Sequence, residues 1–201
     1  MRIDPESRGV QGLITFLSFV GLNVVYLVTC LPVVTIGAAT SALFEVTYRY
    51  SDDERGNLVK DYFPAFGRSF ARATLLMLAT LLPALAMAFA AVFWSQHQSP
   101  IAGAAMVLCI FAVTYLLMAF LVAMGLVARY RNTVRQTLRN AFLLPSAEPL
   151  RCFGVLLVPV TQLCLAIVSP SFWFVIVTIG CSVGAYGTAF LFRSMFSRHA
   201  G

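Results

Sequence analysis

Charge is what this 201-residue sequence has least of: 14 Lys and Arg with 8 Asp and Glu amount to 11% of it, against 60% from the hydrophobic set. Soluble domains carry about a quarter charged residues. So few charged side chains cannot cover a water-soluble body of this size without leaving large apolar patches in water, and the soluble globular class is excluded. Histidine is scarcer still, with only His97 and His199. No H-E-x-x-H, nucleophile elbow or phosphate-binding P-loop occurs, which removes the usual signatures of a zinc protease, a serine hydrolase and a nucleotide-driven pump. The expectation is a protein that is not an enzyme and carries no metal or cofactor. Cys30, Cys109, Cys152, Cys164 and Cys181 lack metal or redox spacing and read as small buried hydrophobes. Nor does the N-terminal stretch read as an export signal, since its charge is mixed and its apolar continuation is too long.

What the sequence has is apolar length, with a mean hydropathy of +0.85. One integral membrane domain is read over residues 1–201, with spans at 11–31, 34–50, 73–94, 101–128, 152–168 and 171–192. About 20 apolar residues cross a bilayer, so the first apolar region is too long for one helix. Pro32 and Gly37 divide it into two. The basic residues fall before the first span, in the connectors 51–72 and 129–151, and after the last span. By the positive-inside rule all of these lie on one side, which predicts an all-α polytopic fold with both termini in the cytoplasm. The second segment is short and contains Glu45; five spans plus a re-entrant or interfacial helix is the alternative.

Polar residues within the spans are the first candidates for function. Glu45 stands on a stripe with Ser41 and Arg49, and Arg49 or Arg72 is the expected partner for its carboxylate. The same residue motivates a solitary transporter of a sugar or ion. Asn23 and Gln162 are expected to bond between helices. Gly180, Gly184 and Gly187 give the last span a small-residue face suited to close packing within the chain or to a homodimer seam.

The two basic connectors form a second group. Tyr62, Phe66 and Phe70 recur at i+4 and predict a helix lying ring face down at the interface. Pro64 either marks its first turn or splits it. Arg131, Arg135 and Arg139 stack at i+4 beside Val134, Leu138 and Phe142, an arrangement suited to anionic lipid or to a docking partner. Nucleic acid is not expected, because no aromatic and basic groove accompanies the net charge of +6.

Asn23, the run CLPVVTIGAATSAL from Cys30 to Leu43, and DYFPAF from Asp61 to Phe66 carry a resemblance. In these, and in overall length and layout, the chain resembles the YesL-like family of bacterial integral membrane proteins. The resemblance implies a multi-span protein with an accessory role in carbohydrate uptake, since members are often encoded beside sugar transporters and glycan-degrading enzymes. A transporter permease or ATPase is the partner it suggests. It brings no catalytic residues.

Overall fold

The computed structural model describes residues 8–52 and 56–199, with side chains from Gln11 to Ser194 among them. Readings that rest on Arg2, Asp53, Glu54 and Arg55, and on the side chains of Arg8, Arg198 and His199, lie outside the described residues.

Helix α1 (Arg8–Cys30) ends where Pro32 takes an extended conformation. A 3-10 turn at Val33–Thr35 reverses the chain into α2 (Ile36–Ser51). The Thr35 hydroxyl donates to the carbonyls of Thr29 and Pro32, tying the hairpin together. Three later helices begin on side-chain caps: Asn57 opens α3 (Leu58–Ser95), Ser99 opens α4 (Pro100–Arg129) and Thr133 opens α5 (Val134–Ala147). Each cap side chain accepts the N–H three residues on, which satisfies one of the free donors of a first turn. Proline at the first position of α4 and of α6 (Pro149–Val168) suits a site that has no need of an N–H. The final segment runs through α7 (Phe172–Val175), a π turn at Ile176–Gly180 and α8 (Cys181–His199).

The chain is an all-α, multi-pass membrane protein. Among the described residues five helical stretches are long and apolar enough to cross a bilayer: Gln11–Cys30, Leu58–Ser95, Pro100–Arg129, Pro149–Val168 and Phe172–Ser194. The sixth expected segment, α2, is the exception. Its 16 residues extend about 24 Å at about 1.5 Å per residue, short of a hydrocarbon core of about 30 Å. It is also the most enclosed helix, buried continuously from Gly37 to Tyr48. Leu22, Tyr62, Leu76, Met124 and Phe192 complete the core around it. Outside, Leu85, Phe89, Ile101, Leu108, Phe111 and Phe174 are exposed, as lipid-facing positions should be.

Several expectations are corrected. Residues 58–72 are not a separate interfacial helix, because α3 runs unbroken through Pro64 and Pro83. Pro64 lies early in the helix on an exposed face, where the carbonyl it leaves without a partner costs little. Tyr62 does not face lipid or a partner: it is fully buried, and its hydroxyl bonds Thr29 Oγ1 at 2.6 Å. Phe66 stacks on Tyr62 and is half-buried, which leaves Phe63 and Phe70 as the exposed rings. Helix α5 packs along α4, where the Tyr115 phenol donates to Phe142 O and pairs with Ser146 Oγ. Arg131 precedes α5, so only Arg135 and Arg139 stack on that helix. Of the cysteines, Cys152 is buried, whereas Cys164 is exposed on the outer face of α6.

The glycine face of the last span is also divided. Gly184 approaches Val158 and Gln162 of α6, so it packs within the chain. A Cβ at Gly180 would meet only its own helix, and one at Gly187 would enter open space, so Gly187 makes no close contact within the chain.

Candidate functional site, a basic cavity around Glu45

Glu45 lies in the third turn of α2 with its side chain 11% exposed. Helical spacing places Arg49 one turn on, and Nη2 of that arginine reaches the carboxylate at 2.9 Å. The second partner is Arg68 of α3, whose Nη2 bonds the same oxygen. Arg72, the alternative to Arg49 as the expected partner, lies one turn further along α3. That residue instead donates to Asn132 O at 2.9 Å, fastening α3 to the chain after α4.

Glu45, Arg49, Arg68 and Arg72 line a cavity of about 460 Å³ together with Tyr48, Asp52, Ser69, Arg129, Tyr130 and Arg131. Three stretches build it: the last turns of α2, the first half of α3, and the C-terminal end of α4 with the residues just after it. Arg129 donates to the Tyr48 hydroxyl and lies over that ring, 4.7 Å from its centroid. Asp52 is engaged from outside by Arg193 of α8 at 3.2 Å. Five arginines therefore face two carboxylates. The arrangement favours binding of an anion. Sequence reasoning missed Arg68 and Arg129, because only the packing of α2 against α3 and α4 brings them to Glu45. Arg135 and Arg139 line a separate groove on α5.

Residues 19–91 match the family model described as protein of unknown function, DUF624. This is the YesL-like family. No curated protein and no solved structure matches the chain. The DUF624 segment contains the second half of α1, all of α2 and most of α3, and so holds Glu45, Arg49, Arg68 and Arg72, whereas Arg129 and Arg131 lie beyond it.

The polar pair singled out inside the spans, Asn23 and Gln162, converges on the π turn. Asn23 is fully buried, and its Nδ2 donates to Ile176 O at 2.9 Å and Val177 O at 2.7 Å. Its Oδ1 accepts from Ser182 N at 2.9 Å. Gln162 donates to Gly180 O at 2.8 Å. A π turn displaces the regular i to i−4 ladder, and these amides supply partners to backbone groups around it.

Ser41, one turn before Glu45, has the opposite character. Among the described residues its Oγ is buried without a hydrogen-bond partner. Leaving a hydroxyl unpaired costs about 1–3 kcal/mol. Ser41→Ala is expected to stabilise the protein by about 1 kcal/mol, read as a higher midpoint in an SDS unfolding titration. A lower midpoint would mean that the hydroxyl has a partner.

Proposed function

We propose that the chain is an accessory or assembly subunit of a bacterial cytoplasmic membrane, associated with carbohydrate uptake, and that it acts through its basic cytoplasmic face. The observation that carries this reading is the distribution of polar chemistry. Exposed Arg129, Arg131, Arg135 and Arg139 gather near the end of α4 and on α5, while the packed interior between α2, α3, α4 and α8 is closed by Leu76, Met124, Phe44 and Phe192. Solitary carriers place their substrate site near the bilayer midplane on interrupted helices. Here the buried carboxylate is held by two arginines beside the end of α4, a less suitable arrangement for a substrate path. The link to carbohydrate uptake rests on the YesL-like resemblance. Orientation rests on the positive-inside rule, which assigns the basic face to the cytoplasm.

The test is purification of the full chain from its native membrane in mild detergent. Reproducible recovery of a sugar transporter's permease or ATPase supports an accessory role; recovery of the chain alone counts against it. Reconstitution supplies the opposite test. If the chain alone moves a sugar or ion into liposomes and Glu45→Gln stops that movement, it is a transporter in its own right.

A further inference from the structure

We propose that the cavity around Glu45 binds a phosphomonoester group, carried either by a soluble organic phosphate or by a phosphatidic acid headgroup. Its 460 Å³ volume is within the range of about 300–1,000 Å³ typical of small-ligand pockets and leaves room for organic structure beyond one phosphate. Arg49, Arg68, Arg72, Arg129 and Arg131 line it. A guanidinium presents five N–H donors in a planar fork, so the bonds that Arg49 and Arg68 make to Glu45 and that Arg72 makes to Asn132 O leave others for phosphate oxygens. Ser69, Tyr48 and Tyr130 also line the wall, with Val127 and Ala128 as its apolar part.

The two carboxylates adjust the site without cancelling it. Asp52 is held from outside by Arg193. Glu45 occupies Arg49 and Arg68 and acts as an internal competitor for the ligand. The ends of α2 and α4 turn their carbonyl poles toward this region, which disfavours an anion by about 0.3–1 kcal/mol for each exposed terminus. A phosphomonoester carries a charge of about −1.5 to −2 at neutral pH, and five arginines outweigh that opposition.

Purified full-length protein in neutral maltoside detergent is titrated calorimetrically with glycerol 3-phosphate and, separately, with dioctanoyl phosphatidic acid, which presents the same group on a lipid. Saturable binding is expected, weakened about tenfold or more by Arg131→Gln and strengthened by Glu45→Gln, which releases two arginines while preserving side-chain shape. Because Arg72 also holds Asn132, Arg72→Gln is scored only after its elution profile and helicity match the wild type. Binding of glycerol 3-phosphate assigns the soluble source; binding of phosphatidic acid alone, with the same variant pattern, assigns the lipid source. The proposal is overturned if neither probe binds, or if binding is indifferent to Arg131→Gln and Glu45→Gln.

Discussion

Replacing Asn23 with Leu is expected to be among the most damaging single changes in the molecule, at about 3 kcal/mol or more. The substitution nearly preserves volume, so cavity formation contributes little. What it removes is the partner of three backbone groups: the carbonyls of Ile176 and Val177 and the N–H of Ser182. A polar backbone group left unpaired among apolar spans costs about 1–3 kcal/mol. The Ser182 hydroxyl also donates to Phe19 O at 3.0 Å, so the N-terminal turn of α8 is held to α1 at two neighbouring points. Gln162→Leu is the internal comparison. It removes one bond, to Gly180 O, and on the same scale should cost about 1 kcal/mol, since one backbone group rather than three loses its partner. SDS unfolding of both variants checks the ranking. If the Asn23 variant is no less stable than the Gln162 variant, Asn23 does not hold the π turn.

Asn23 also illustrates what a linear chain reveals. A buried amide within an apolar span marks a contact between helices on chemical grounds alone. Its partner, more than 150 residues away in sequence, is created by a π turn in a run of β-branched and glycine residues, Ile176-Val177-Thr178-Ile179-Gly180, that reads as ordinary helix. Glu45 was legible to a similar depth. Helical periodicity identified Arg49, whereas the choice between Arg68 and Arg72 is a question of one turn in how α3 slides along α2. Charge patterning cannot resolve that register, because both arginines lie on the same face.

Aromatic spacing misled for a different reason. Rings at i+4 beside charged residues describe an amphipathic helix equally well whether the apolar face meets lipid or protein. Tyr62 meets α1 and α2 because Thr29 and the backbone carbonyl of Ala39 receive its hydroxyl, polar contacts that lipid tails cannot offer. The distinction depends on where α3 begins relative to the α1–α2 hairpin. The glycines of the last span posed the same problem: their spacing was visible, but whether each faced α6, its own helix or open space was not.

Gly37 carries the second large expectation. A Cβ placed there would sit 2.6 Å from Ala73 O and 2.9 Å from Met77 Cβ, and the first of these belongs to backbone that cannot rotate aside. The Gly37 N–H also points at Met77 Sδ, 3.2 Å away. Helices α2 and α3 therefore approach as closely as they do because this position has no side chain, the packing principle by which small residues bring membrane helices together. Gly37→Ala should cost about 1–3 kcal/mol as the helices part, and Gly37→Val more, since its branched side chain adds bulk at a helix contact. Gly67→Ala and Gly103→Ala serve as controls: both are helical, with nothing within 4 Å of a new Cβ, and should stabilise by about 0.5–1 kcal/mol. Opposite signs in SDS unfolding would tie the cost to the α2–α3 contact rather than to glycine replacement in general. The same separation would pull Glu45 away from Arg68 without altering either residue, so Gly37→Val should also change any ligand binding that depends on the arrangement of the basic cavity. Unchanged stability and unchanged binding in that variant would show that α2 does not need this close seat on α3 to position Glu45.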